Sequence, residues 1–296
     1  MEQQISPGKS WYDRQYKLLI VIPIIILIAS IVYISFFYIQ HNDFIYKDVS
    51  LSGGTSITLH GDVDSAKLES DLKLQFSDLS IRKLTDLTSA QPIAIVLESS
   101  AQPEELKQAI ESSLGYPLTD DNSSTEFSGS TLSESFYKQL ILAIVISFIL
   151  MSFVIFILFR TFIPSIAVIF AAFADIVMPL ALINLLGIKL SAAGIAAFLM
   201  LIGYSVDTDI LLTTRALKKR EGTLNERIFG AFKTGTFMTI TALFAVLPAF
   251  FIVTGLPDSF RQIFLILALG LLADLINTWL TNASIIKWYC EKKGIN

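Results

Sequence analysis

The sequence predicts an α-helical polytopic membrane protein with six transmembrane helices and an inserted extracytoplasmic ferredoxin-like α/β domain. Hydrophobic residues make up 53% of the 296 residues and charged residues only 16%, whereas about a quarter of an average soluble domain is charged. Six long stretches carry one charged residue or none. The first two of these stretches are separated by about a hundred residues, which is too long for a loop and is typical of a domain.

Each of the six apolar stretches is long enough to form a transmembrane helix, because a spanning helix needs ~20 mostly apolar residues. The stretches cover residues 18–42, 139–159, 161–188, 190–206, 234–257 and 262–286. We expect residues 18–40 to form the first helix and residues 136–288 to contain the other five. The first helix is expected to remain as an anchor, since its apolar core exceeds the usual signal-peptide core of about 7–15 residues.

Lysine and arginine predict the orientation, because they are enriched in the cytoplasmic loops of membrane proteins. With an inside N-terminus, the short outer loops hold only Lys189 and Arg261, and most other basic residues near the helix ends are inside. We therefore expect a cell-membrane protein with residues 1–17, the loop 215–233 and residues 289–296 in the cytoplasm.

The outer segment, residues 41–135, is acidic and has its own periodicity. Residues 40–135 contain sixteen acidic side chains and six basic ones, which argues against nucleic acid as a partner of this segment. Alternation predicts a strand at 51–60 and two more at 79–84 and 93–97, and helical spacing predicts helices at 64–76 and 102–114. Asp64 is placed to cap the first of these helices. The order β-α-β-β-α indicates a ferredoxin-like unit, and the Ser- and Thr-rich residues 120–135 are expected to be a linker.

Four aspartates lie inside the predicted transmembrane helices: Asp175, Asp207, Asp209 and Asp274. An ionised aspartate at mid-helix costs ~2.5–3.5 kcal/mol, so we expect these side chains to face the interior of the bundle or a wet cavity. Asp207 and Asp209 are two residues apart, about 200° around a regular helix, so they cannot both face one point.

We interpret the aspartates as candidates to carry protons or a cation through the bundle. The alternative is that they are protonated, hydrogen-bonded packing elements. We favour Asp207 over Asp209 because it shares a helix face with Tyr204 and Leu211, although the sequence leaves the direction of that face open. Candidate partners with polar side chains are Thr208, Thr239, Asn277 and Thr278.

No metal site and no cofactor are expected from the sequence. His41 and His60 lie outside the predicted helices, and no His or Cys with ligand spacing lies within them. The glycines of Gly53-Gly54-Thr55 lack the spacing of a phosphate-binding loop and are more typical of a turn at the start of a strand.

Two motifs, together with the outer α/β domain and the helix count, resemble the SecF family of protein-export membrane proteins. The motifs are DVSLSGGT at 48–55, just after the first helix, and IGYSV at 202–206 in the fourth. Bacterial members usually continue GYS with Asn-Asp-Thr, where this chain has Asp207-Thr208-Asp209, so it looks like the archaeal branch. Asp175 matches the aspartate of a His-Asp pair in the third helix, with Ala174 in place of the histidine.

The resemblance implies an accessory, non-enzymatic subunit that pairs with SecD and assists the SecYEG channel in moving unfolded secretory proteins across the membrane. It also implies membership of the resistance-nodulation-division superfamily and use of the proton gradient. A small-molecule or lipid exporter subunit of the same superfamily, or a structural assembly subunit without ion coupling, remains an open alternative.

Overall fold

The computed structural model describes residues 11–61, 63–85, 92–218, 221–252 and 258–295. Within these residues six helices are long and apolar enough to cross a membrane, which confirms the predicted architecture. From the start of the described chain to the end of the inserted domain, the elements are α1 (Trp11–Leu19), α2 (Val21–His41), α3 (Val49–Ser52), β1 (Gly54–His60), α4 (Ser65–Leu72), β2 (Ser80–Thr85), β3 (Pro92–Ser99), α5 (Pro103–Leu114) and β4 (Ser123–Ser128). The remaining elements are α6 (Ser130–Phe159), α7 (Phe162–Leu185), α8 (Ala192–Lys218), α9 (Leu224–Ile252), α10 (Asp258–Ile276), a π-helical turn (Asn277–Asn282) and α11 (Ala283–Lys293).

Three spans form the centre of the helix bundle. In Phe162–Leu185, Ala192–Lys218 and Phe260–Lys293, 56% of the apolar window is buried, against 17% or less in the other three. α8 and α10 approach closely because α10 has a glycine at the crossing: a Cβ on Gly270 would lie 2.3 Å from a methyl carbon of Leu201. The central helices therefore bring their polar side chains within reach of one another.

The two ends of the described chain lie on the same side of the bundle. The Tyr16 hydroxyl of α1 donates to Glu291 Oε2 of α11 at 2.7 Å. The Ser284 hydroxyl donates to the backbone carbonyl of Tyr16 at 2.8 Å. The inserted domain lies at the other end, because α2 leads directly from α1 across the bundle to it.

The inserted domain is a four-stranded antiparallel sheet with strand order β2-β3-β1-β4. Together with the order β-α-β-β-α-β, this is the ferredoxin-like topology that the sequence predicts. The sheet and the two helices bury one apolar core, to which Ile57, Leu97, Leu68 and Leu106 belong. Asp64 caps α4 as predicted, since its carboxylate accepts hydrogen bonds from two backbone amides of the first turn.

Two boundaries differ from the prediction. The segment predicted as a strand at 51–60 begins as the short helix α3. β1 starts only at Gly54, and both Gly53 and Gly54 have positive φ angles, of 89° and 128°. The linker prediction for 120–135 was wrong, because Ser123–Ser128 forms the edge strand β4 and α6 begins at Ser130. β4 has little apolar alternation, and its pairing with β1 supplies the order that its sequence does not signal.

Candidate functional site

Three helices at the centre of the bundle each contribute one buried aspartate. Asp175 lies on α7, Asp209 on α8 and Asp274 on α10, and their exposed fractions are 0%, 0% and 1%. The three carboxylates are close enough to interact electrostatically with one another. We call this group the carboxylate cluster.

Asp175 is held by donors from two different elements. The Ser205 hydroxyl of α8 donates to Asp175 Oδ2 in a short hydrogen bond. The side-chain amide of Asn277, in the π-helical turn, donates to Asp175 Oδ1 at 2.6 Å. Both partners are neutral, so they orient the carboxylate without compensating a full charge.

One hydroxyl joins the other two carboxylates. Thr278 Oγ1 lies 2.9 Å from Asp209 Oδ1 and also 2.9 Å from Asp274 Oδ1. The Thr208 hydroxyl donates to Asp274 Oδ1 at 2.8 Å, and the Asn282 amide donates to Asp209 Oδ1 at 2.6 Å. Because a hydroxyl can both donate and accept, Thr278 can hydrogen-bond to both acids at once.

α9 contributes the fourth side of the cluster. Its Thr239 hydroxyl lies 3.5 Å from Asp274 Oδ2 and 3.2 Å from the backbone carbonyl of Gly235. The sequence-predicted partners Thr208, Thr239, Asn277 and Thr278 therefore all lie at the cluster. Ser205 and Asn282 belong to it as well.

Some buried polar atoms of this region have no partner. Asp209 Oδ2, Asn282 Oδ1 and Thr281 Oγ1 are buried and accept or donate no hydrogen bond among the described residues. Buried polar atoms without a partner are rare in folded proteins and call for an explanation. A carboxylate with one free oxygen at the centre of the bundle can take up a proton there.

The polar residues of the last span lie on a π-helical turn. Asn277–Asn282 interrupts the helix that continues from α10 into α11, and π-helical turns occur frequently at functional sites. The wider turn allows Asn277, Thr278 and Asn282 to reach carboxylates on both α7 and α8. Sequence reasoning found Asn277 and Thr278 but not the turn, because their spacing carries no signal for the change in backbone hydrogen bonding.

Asp207 is not part of the carboxylate cluster. It is exposed on the outer face of α8, together with Tyr204 (52% exposed) and Met200 (56% exposed). This confirms that Asp207 and Asp209 face different surfaces. The structure brings Asp209, and not the residue favoured from the sequence, together with the other two carboxylates.

The cluster contains no compensating cation in the described part of the chain, where Lys and Arg form salt bridges only with other acids. Arg215, further along α8, donates instead to the Gly230 carbonyl at 2.6 Å and to Thr234 at 3.0 Å. Three unpaired negative charges in one buried site are strongly unfavourable. Among these same residues no group of His, Cys, Asp and Glu side chains with the geometry of a metal site is found.

Comparison with known proteins assigns the family. Residues 113–292 match the family model described as protein export membrane protein SecD/SecF, C-terminal. The chain is 36% identical over 292 residues to a protein-export membrane protein SecF from Methanolacinia petrolearia, covering 97% of this chain and 99% of the relative. It is 38% identical over 283 residues to the SecF of Methanocaldococcus jannaschii, covering 93% and 96% of the two chains.

Solved structures show the same fold. The chain is similar to the crystal structure of SecDF, a translocon-associated membrane protein from Thermus thermophilus, with a TM-score of 0.75 and 16% identity. A second SecDF structure, in a super-membrane-facing form, gives a TM-score of 0.61 and 17% identity. The chain is covered to 98% and 99%, but it spans only 40% of each SecDF chain. On the match to more than half of its residues and on its close relatives, the chain belongs to the SecD/SecF family of protein-export membrane proteins.

Proposed function

We propose that the protein is an accessory subunit of a protein-export translocase in the cell membrane and that its carboxylate cluster couples export to the proton gradient. The observation that carries the proposal is the burial of Asp175, Asp209 and Asp274 together without a basic partner among the described residues. Such intramembrane acids are typical of proton relays. The names of the relatives support export as the process that this relay serves.

The hydrogen bonds of the cluster support a step-by-step proton path. A proton on Asp209 can pass to Asp274 through the Thr278 hydroxyl, which lies 2.9 Å from a carboxyl oxygen of each. The hydroxyl releases its own proton to one acid as it receives one from the other. Asp175 lies beyond this pair, and the Ser205 hydroxyl that donates to Asp175 Oδ2 also lies close enough to Asp274 to interact with its carboxyl group. Each proton that crosses the membrane down its potential releases ~2.3 kcal/mol per 100 mV, and this free energy is available for export.

A second six-helix protein is the expected partner, and we identify it by resemblance as SecD. The chain spans 40% of the SecDF structures that share its fold, so it corresponds to one part of a larger assembly. The outer face of α8 exposes Asp207 and Tyr204 at membrane depth, where lipid cannot satisfy a carboxylate. Burial of this face against the partner would satisfy it. The SecYEG channel and unfolded secretory proteins are further partners in this proposal.

The orientation in the proposal has both termini in the cytoplasm and the inserted domain outside. The contact between α1 and α11 supports one common side for the two ends. The excess of lysine and arginine in residues 1–17, 215–233 and 289–296 supports the cytoplasm as that side.

Asparagine substitution of each cluster acid tests the proposal. Asp209→Asn keeps the size and the hydrogen-bonding capacity of the side chain but removes its titration. Export should then fall to the rate that the native protein shows when an ionophore has dissipated the proton gradient, and a further addition of ionophore should have no effect. Asp274→Asn is expected to behave in the same way.

Asp207→Asn is the matched control, because it makes the same substitution on the same helix outside the cluster. It should retain a response to the ionophore. If Asp209→Asn, Asp274→Asn and Asp175→Asn all keep the native response and change only the thermal stability, the acids are packing elements and the proton mechanism does not belong to this subunit.

A further inference from the structure

The DVSLSGGT segment forms a joint between the inserted domain and the membrane helices. Asp48 caps α3 and accepts hydrogen bonds from the backbone amide of Ser50 at 2.9 Å and from its hydroxyl at 2.6 Å. The same Ser50 oxygen accepts a hydrogen bond at 2.9 Å from the backbone amide of Ala192, the first residue of α8. The Asp48 amide in turn donates to the Leu190 carbonyl at 3.1 Å. Asp48 is thus linked through one hydroxyl to the helix that carries Asp209.

The two glycines of the segment bring this joint against the domain. A Cβ on Gly54 would lie 2.4 Å from the Ser99 carbonyl at the end of β3. A Cβ on Gly53 would lie 2.4 Å from the Cα of Ser130 at the start of α6. No side chain fits at either position, so the backbone of the segment packs directly on the sheet and on the second span.

A buried ion pair crosses the same boundary. Glu98 of β3 is 3% exposed, and its carboxylate lies 2.5 Å from the Lys189 ammonium in the α7–α8 loop and 3.1 Å from Arg82 of β2. Lys189 therefore forms its salt bridge with Glu98 and not with Asp48.

Asp48 is buried among groups that disfavour its charge. It is 5% exposed, and burial raises the pKa of its carboxyl to about 7, with a further contribution from the negative charges of Glu98 and Glu126 and with the hydrogen bonds of Ser50 acting in the opposite direction. The lysines of the surrounding elements form ion pairs with other acids: Lys47 with Asp43, Lys138 with Glu134 on α6, and Lys189 with Glu98.

We propose that Asp48 and Ser50 form a proton-sensitive joint that holds the inserted domain on the membrane helices, with a proton on Asp48 favouring the docked domain and its loss favouring release. Docking places the Asp48 carboxyl in a buried site beside Glu98 of β3 and Glu126 of β4. A neutral carboxyl enters that site without the cost of desolvating a charge or of repulsion from the two glutamates. Release returns Asp48 to water and separates it from the sheet.

The sign of the pH dependence follows from this linkage. A carboxyl that binds its proton more tightly in the docked state stabilises docking fully at a pH below its ordinary pKa and loses that contribution as the pH rises to about 7. The docking equilibrium constant should fall by up to about 10-fold per pH unit in this range and should remain constant above it. A measurement of the domain's position does not depend on whether the chain takes part in export, so this proposal and the proposed function can fail separately.

A distance measurement in the full-length protein tests the joint. Spin labels at Ser112→Cys on α5 and Leu186→Cys after α7 report the separation of the domain from the bundle in nanodiscs. Both positions are exposed, and the native Cys290 is buried. We expect a narrow distance distribution at pH 5, a longer-distance population that grows towards pH 7, and no further change up to pH 8.5.

Three variants separate the joint from general instability. Asp48→Asn should keep the narrow distribution at every pH, whereas Ser50→Ala, which removes the link to Ala192, should increase the long-distance population at every pH. Asp64→Asn alters another helix cap in the same domain and should leave the native pH dependence unchanged. A native distribution that does not change between pH 5 and 8.5 overturns the proposal, as does a pH dependence that survives in Asp48→Asn.

Discussion

At the scale of single residues, the hydroxyl of Thr278 has the most demanding position in the carboxylate cluster. It contacts Asp209 and Asp274 at the same distance, 2.9 Å, and thereby holds two like-charged groups at a fixed separation. A residue of the same shape without the hydroxyl would remove a hydrogen-bonding partner from both carboxyl groups, the donor to one of them and the acceptor for the other.

Thr278→Val is therefore expected to lower the free energy of unfolding by about 1–3 kcal/mol, the cost of leaving buried polar groups without a partner. In the proposed mechanism it also interrupts the path between the two acids, so export should lose its response to the proton gradient. Thermal unfolding in detergent measures the first effect, and export with and without ionophore measures the second.

Thr278→Ser restores the hydroxyl and should recover the response to the gradient even if some stability is lost with the methyl group. Full gradient-dependent export by Thr278→Val would contradict the role of this hydroxyl as the link between Asp209 and Asp274.

At the scale of secondary-structure elements, the crossing of α8 and α10 determines whether the acids meet. Gly270 lies one turn before Asp274 in sequence and packs against Leu201 of α8, whose methyl carbons lie 2.3 and 2.4 Å from the position of a Cβ on this glycine. The close approach of the two helices thus depends on a missing side chain in one and a bulky one in the other. It brings Thr208 of α8 within hydrogen-bonding distance of Asp274.

Gly270→Ala is expected to push the two helices apart and to destabilise the protein by about 1–3 kcal/mol, the usual cost of overpacking. Leu201→Ala leaves a cavity and should also destabilise it. The double variant removes the clash, so its loss of unfolding free energy should be smaller than the sum of the losses in the two single variants. A double-mutant cycle on the thermal unfolding of the four proteins measures this coupling.

Gly203→Ala is the control on the outer face of α8, because a Cβ there has no neighbour within 4 Å. It should leave stability unchanged or raise it slightly. Strictly additive effects of Gly270→Ala and Leu201→Ala would contradict a direct contact between the two positions.

At the scale of the whole molecule, the inserted domain and the two ends of the described chain lie on opposite sides of the helix bundle. The proposed orientation places the domain outside the cell. Leu74, two residues after the end of α4, is 92% exposed, while Lys292 is exposed near the C-terminal end of α11. Cys290 is buried, so a cysteine introduced at either position is the reactive one.

Leu74→Cys should react with a membrane-impermeant maleimide added to intact cells, and Lys292→Cys should react only after the membrane has been opened. The extent of labelling, read on a denaturing gel, should rise several-fold on opening the membrane for Lys292→Cys and should be about the same in both conditions for Leu74→Cys. The reverse pattern would contradict the proposed orientation.

Local patterns were sufficient to predict a large part of the fold. The six apolar stretches predict six spans, because length and hydrophobicity alone decide whether a helix can cross a bilayer. Alternation and helix capping at Asp64 predict most of the inserted domain. β4 was not predicted from the sequence, because an edge strand rich in Ser and Thr is ordered by its pairing with β1. That pairing is a contact between residues distant in sequence.

The sequence by itself determined that four aspartates lie within apolar helices and that Asp207 and Asp209 point to different surfaces, since both statements depend only on composition and on the 100° step of a helix. Only the tertiary structure decided that Asp209, rather than Asp207, joins Asp175 and Asp274. The rotation of α8 about its axis is set by what α8 packs against, above all by the crossing at Gly270. Packing of this kind is a property of several helices together, and no pattern within one of them records it.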